Sequence, residues 1–171
     1  LHPIVFNDLF CLINKDIHTI SVGVEKISDF DHHLKSVALL PRANDFLPKI
    51  IKDLKNEAIN TLGLDWYYNW NKNLPRWQDT PGYINIPVLL WLSNLFESWD
   101  MKGFASSRYQ LLGNGSHWFP GNNADLLDVE VSEKQLISVL YKHQNPKLII
   151  QKLSKLKDNF GGREVKRLSE T

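Results

Sequence analysis

Cysteine is nearly absent: the chain holds one, Cys11, so no internal disulfide can staple it and no zinc site of the usual multi-cysteine kind can form. Set among Leu9, Phe10, Leu12 and Ile13, that thiol is expected to be a buried hydrophobe rather than a reactive group. An excess of one charge is missing too. Twenty Lys and Arg face nineteen Asp and Glu, a formal net of +1, so no overall field favours nucleic acid or an anionic membrane. No apolar run approaches the ~20 residues of a membrane span; the longest candidate, Ile86 to Phe96, is interrupted by Pro87, Ser93 and Asn94. Leu1-His2-Pro3 has neither the basic start nor the apolar stretch of a signal peptide, so the chain is expected to be soluble and cytoplasmic, without a membrane partner. Walker loop, GxGxxG, HExxH and GxSxG are all lacking, and with them the common reasons to expect a cofactor or a metal.

What is present is a composition in the ordinary globular range, with 43% hydrophobic and 23% charged residues. A chain of 171 residues predicts one domain over 1–162 with a polar C-terminal tail at 163–171. Helical periodicity dominates. Pro3 opens a helix carrying Val5, Phe6, Leu9, Phe10 and Ile13, and Asp29 caps another, ended by Pro41, with Phe30, Leu34, Val37 and Ala38 on its inner face. A longer helix runs from Asn44 or Asp45 to Gly63 with Leu47, Ile51, Leu54, Ala58 and Leu62 as its stripe, Pro48 being tolerated in the first turn.

Ile86 to Asp100 predicts a helix burying Val88, Trp91, Leu92, Leu95, Phe96 and Trp99, with Ser93, Asn94, Glu97 and Ser98 on its wet side. Phe104 to Leu112 is a shorter one. Ser132 and Gln135 have capping-box spacing and start a helix through about His143. Asn145-Pro146 begins the last, with Ile149, Leu153, Leu156 and Phe160 inward and Gly161-Gly162 as its stop. Strict alternation predicts strands at Ile17 to Glu25 and Leu126 to Val131. The expected fold is therefore mainly α with a minor α+β character: about six helices and a small two-stranded β element.

One segment is compositionally unusual. Between two helices, Leu64 to Tyr83 gathers Trp66, Tyr67, Tyr68, Trp70, Trp77 and Tyr83 around Arg76 and several Asn and Asp. Rings mixed with polar groups can anchor a protein partner, stack bases or hold a sugar, because each offers a large area at low entropy cost. The same rings also serve to hold a long connection on the core. Trp118, in the Gly- and Asn-rich run from Gly113 to Asn123, joins this set of candidate binding residues.

That run also holds His117, a possible general acid or base, with Arg108 to stabilise negative charge and Asp125 to orient the ring; a plain turn rich in positive-φ residues accounts better for one histidine without a spaced partner. Arg108, Asn114 and His117 resemble, over about ten residues, the Arg, polar and His set of the HEPN ribonuclease superfamily. The resemblance implies metal-independent RNA cleavage, although Gly113 and Gly115 interrupt the helix on which that family places its motif. Asp31-His32-His33 matches the letters of a DHH phosphoesterase motif, but neighbours on a helix cannot face one site, and a solvated first turn explains them better. Asp125, Asp128 and Glu130 read as polar positions at a strand edge, and the lysines and arginines from Lys147 to Arg167 as a solvated face.

With no convergent catalytic set, the residues point to a non-enzymatic macromolecule-binding protein, such as a bacterial immunity, antitoxin or regulatory protein, with a protein as its partner. The alternative is a HEPN-like ribonuclease using Arg108 and His117, with RNA as its partner. No feature of the sequence specifies an oligomeric state.

Overall fold

The computed structural model describes residues 1–113 and 120–162. Among them the chain is mainly helical, with eight α-helices, and falls into two compact units, one running Leu1–Asn56 and the other beginning at Glu57.

The first unit starts with α1 (Pro3–Leu12), whose Pro3 lies at the first helical position and whose His2 ring nitrogen accepts from the Ile4 N–H. It packs against α2 (Asp29–Leu39). The core here is small: Val5, Leu9, Ala43 and Leu47, with Phe6, Ile13, Leu39 and Ile51 around them. Cys11 is half-buried rather than enclosed.

The side of α2 turned to α1 is not the one its apolar residues predict. Phe30, Leu34, Val37 and Ala38 are exposed, and the contact is made instead through a buried polar knot. The Asp8 carboxylate accepts from Ser36 Oγ at 2.8 Å and meets His33 Nδ1 at 2.7 Å, while His32 stacks on His2 with ring centroids 3.7 Å apart. The first turn of α2 is thus used for packing and is not merely solvated. Asp8→Ala is expected to cost about 1–3 kcal/mol, the penalty for leaving a buried polar group without its partner; the loss falls on His33, whose Nε2 already lies buried with no hydrogen-bond partner among the described residues, since Ser36 Oγ keeps the His32 carbonyl at 3.0 Å. Faster amide exchange throughout α1 and α2 is the readout.

Pro41 does not end the helical run either. It sits at the second position of a 3-10 turn, Leu40–Arg42, where its missing N–H is not needed, and α3 (Ala43–Leu62) follows directly. Because α3 begins at Ala43, Pro48 falls beyond its first turn and denies the Asn44 carbonyl its usual donor. The expected strand at Ile17 to Glu25 is absent: the segment is irregular, Val22 and Val24 are exposed, and among the described residues no second strand lies alongside them to satisfy the backbone. The backbone is held at its two ends: the Ile17 N–H donates to the Asn14 carbonyl, and Asp29 Oδ2 accepts from the N–H groups of Glu25 and Lys26, bonds that keep the Asp29 carboxyl below its ordinary range.

The second unit holds the larger core. Gly63, at φ 81°, turns the chain out of α3 into the short α4 (Leu64–Asn69). Two 3-10 turns, Trp77–Asp79 and Pro81–Tyr83, lead to α5 (Ile86–Trp99), and α6 (Lys102–Leu111), α7 (Glu133–Val139) and α8 (Pro146–Phe160) complete the described residues. The capping box of Ser132 and Gln135 forms as its spacing predicts, as do Pro146 at the start of α8 and Gly161 at its end. α5 packs on both α6 and α8, and α7 also lies on α8.

The second expected strand is absent as well. Leu126 to Val131 is a tight turn in which the Leu126 carbonyl accepts from the N–H groups of Val129, Glu130 and Val131, with Asp128 at φ 61°. Leu127 and Val131 are buried while Val129 is exposed. A turn that brings every fourth residue inward and a strand that brings in every second both suit so short an alternation. Among the described residues no sheet forms, only the isolated bridges Ile84 with Asn122 and Leu127 with Val131. No helix among them is long and apolar enough to cross a membrane.

Candidate functional site

The aromatic segment divides into rings that turn inward and rings that do not. Trp66 is 3% exposed; its indole N–H donates to Asn94 Oδ1 at 2.8 Å, and the Lys152 ammonium lies 5.0 Å from its ring centre. Trp70 is half-buried against the same core, and its carbonyl accepts from His143 Nε2 at 3.2 Å. The tautomer follows from the other ring nitrogen, since His143 Nδ1 accepts from the Asn145 N–H at 3.0 Å. Trp77 meets Tyr83 edge-on at 6.2 Å. A side chain at Gly121, whose φ is 86°, would press on the Trp77 ring and on the Tyr83 carbonyl. These tryptophans therefore back the segment.

Facing outward are Tyr68, 51% exposed, and Tyr83, 59% exposed, with Tyr67 half-buried and edge-on to Tyr68 at 5.0 Å. Arg76 is also outside, held by Asp79 through contacts of 2.9 and 3.3 Å. The guanidinium bond keeps the Asp79 carboxyl below its ordinary value.

Between this stretch and the end of α7 runs a groove of about 520 Å³. Leu74, Pro75 and Val139 give it apolar walls, Asn73 and Ser138 give it polar groups, and Arg76, Tyr141 and Lys142 stand at its rim. Asn73 takes a left-handed backbone, φ 56°, where the chain turns into the groove. Tyr141 is exposed, and the Lys142 ammonium rests 5.4 Å from its ring centre. Nothing in the sequence links Ser138 to Lys142 with the aromatic segment; the fold alone brings them together.

The floor beside the segment is fixed by an asparagine lattice. Asn85 caps α5 by accepting from the Val88 N–H at 3.2 Å, and its amide donates to the Pro120 carbonyl at 2.6 Å. Asn122 bonds Tyr83 and Asn85 through its backbone and Gly82 through its side chain. Asn85→Ala removes a helix cap and the donor to the Pro120 carbonyl, an expected loss of about 0.5–2 kcal/mol. Tryptophan fluorescence during urea unfolding reads that loss in this unit alone, because all six tryptophans lie beyond Asn56.

The residues of the ribonuclease reading are not brought together by anything described. Arg108 is near the end of α6, its guanidinium 5.0 Å from the Phe104 ring centre, whereas Asn114, His117 and Trp118 lie outside the described residues. Asp125 has another use: it accepts from Tyr109 Oη at 2.6 Å and from the Gly162 N–H at 3.2 Å. Burial, reinforced by Asp125, pushes the Tyr109 hydroxyl well above its ordinary range. Among the described residues no group of three or more His, Cys, Asp or Glu is arranged to hold a metal ion.

Two polar features escape a reading by residue type. One is the Asp8, His33 and Ser36 knot. The other is Lys152, expected on a solvated face but 6% exposed, with its ammonium 2.7 Å from Glu97 Oε2. Lys157, from the same basic run, donates to the Leu127 carbonyl. Comparison of the chain with protein-family models, with curated proteins and with solved structures finds no match.

Proposed function

We propose that the chain is a non-enzymatic binding protein, of the immunity, antitoxin or regulatory kind, that takes a protein partner on the surface formed by the aromatic segment and the end of α7. The groove carries this reading: its walls are apolar, its rim offers a tyrosine and two cations, and no convergent nucleophile, base and oxyanion donors surround it. Inward-turned tryptophans support the backbone beneath it. Outward tyrosines supply contact area without much rotamer entropy to lose, which is how interface anchors work. Of the expected binding set, Tyr68, Arg76 and Tyr83 are the exposed members among the described residues, and Tyr141 joins them.

The test is capture from a lysate of the source cell by the full chain and by Arg76→Glu/Tyr141→Ala/Lys142→Glu, whose sites are exposed and whose helicity is expected to match the parent. A protein retained by the parent and lost by the variant supports the reading. Equal retention, or no retained protein at all, sinks it.

A further inference from the structure

We infer that the groove recognises an extended acidic segment of a partner protein, with one apolar side chain of that segment seated against Leu74, Pro75 and Val139. This rests on the reading of the groove as a partner site and adds to it the chemistry of what enters.

Size comes first. About 520 Å³ lies within the roughly 300–1,000 Å³ of sites that enclose a small molecule or a few residues of peptide. The volume is too small for a whole helix or a folded edge.

Charge decides between candidate occupants. Arg76 and Lys142 project at the rim and Asp79 is the one carboxylate among the lining residues. The Arg76 and Asp79 side chains are both more than half exposed, so their pairing is weak and exchangeable. An incoming carboxylate can share the guanidinium while Asp79 turns to solvent. Lys142 has its ammonium over the Tyr141 ring and no carboxylate partner among the described residues. The groove thus offers two cationic positions against one acid, with an apolar floor between them.

An apolar side chain flanked by Asp or Glu matches that order, and a segment flanked by Lys or Arg would meet two like charges. RNA fits less well. Affinity for nucleic acid comes largely from neutralising many phosphates, whereas this rim has two cations. Asn73 adds an amide able to bond a peptide backbone, and Ser138 Oγ, whose proton goes to the Gln135 carbonyl at 2.6 Å, can still accept.

Amide-resolved NMR titration of the full chain tests this with three probes. Two are synthetic nonapeptide pools with a central Leu or Phe, flanked in one pool by Asp and Glu and in the other by Lys and Arg; the third is a mixed-sequence RNA 12-mer. The acidic pool is expected to move the amides of Leu74, Arg76, Val139 and Lys142, and the basic pool to leave them still. Arg76→Glu/Lys142→Glu should weaken the acidic pool at least tenfold and admit the basic one. Equal response to both pools, stronger response to RNA, shifts confined to other surfaces, or indifference to the double substitution would each overturn the inference. If the acidic pool leaves the groove silent while the rim substitutions still abolish capture of a cellular protein, the partner's chemistry is wrong and the binding reading stands. If capture survives as well, both fall.

Discussion

Glu97→Leu is expected to destabilise the second unit by about 3–5 kcal/mol, the cost typical of removing one member of a buried ion pair. The carboxylate sits on α5 facing α8. Its Oε2 receives Lys152 at 2.7 Å, and its Oε1 receives Ser93 Oγ at 3.0 Å and lies 3.4 Å from Lys155. Without it, the Lys152 ammonium is left between two helices with the Trp66 face as its main remaining neighbour, and a cation–π contact of about 0.5–2 kcal/mol does not replace a carboxylate. Lys155 is exposed and rehydrates freely, so its share is small.

The double replacement Glu97→Leu/Lys152→Met separates the pair's worth from the damage of breaking it. It is expected to return to within about 1 kcal/mol of the parent or to exceed it, since desolvating two charges offsets much of their attraction. Urea unfolding followed by tryptophan fluorescence measures both variants. A double variant as weak as the single one would show that the side chains matter here for shape and not for charge.

Acid sharpens the same experiment. Burial alone would push the Glu97 carboxyl up, but the hydrogen bond and charge of Lys152, with Ser93 and Lys155 behind them, more than offset it and leave the group below its ordinary 4.5. A carboxyl lowered by folding contributes stability that is present above the unfolded value and is lost as pH falls through the lowered one. The parent should therefore lose stability on acidification below about pH 4.5 more steeply than the double variant.

That pair also shows where reading the chain one residue at a time stops. Several helix limits were plain, because caps and stops are local: Gly63 at the end of α3, Ser132 with Gln135 at the start of α7, Pro146 at the start of α8. Which face of α5 turns inward was not. Apolar residues lie nearly all round that helix, so no single stripe stands out. Periodicity selects Trp91 and Trp99, of which the first is half-buried and the second exposed, while Ser93, Asn94 and Ser98 are buried. The deciding partners, Lys152 and the Trp66 indole, lie 55 and 28 residues away in the chain. Nothing near α5 reports them.

α2 fails for the same reason, since Asp8 selects its polar side. The candidate site was half legible. Its aromatic segment stands out by composition, but the opposite wall, Ser138 to Lys142, is ordinary helix-end sequence until the fold places it there.

Phe160→Ala should have a comparable effect, about 3–5 kcal/mol, for a different physical reason. Phe160 is the last residue of α8 and is enclosed, with ring centroids 5.2 Å from Phe96 on α5 and 6.0 Å from Tyr109 on α6. Truncation leaves a cavity where three helices meet, and rigid helical backbones on each side limit collapse into it. The loss also reaches beyond packing. Gly161 and Gly162 follow at once; the Gly162 N–H reaches Asp125, which in turn holds the Tyr109 hydroxyl. A Cβ at Gly161 would lie 2.5 Å from Asp125 Oδ1, so the chain crosses that carboxylate with no room to spare. If Phe160 anchors this exit, Phe160→Ala should loosen the Tyr109 to Asp125 bond as well. Tyr109→Phe alone, which keeps the ring and removes only the hydroxyl, should cost about 1–3 kcal/mol in the parent and much less in the Phe160→Ala background. Costs that simply add would mean that the ring and the carboxylate act independently, and that Phe160 contributes by volume alone.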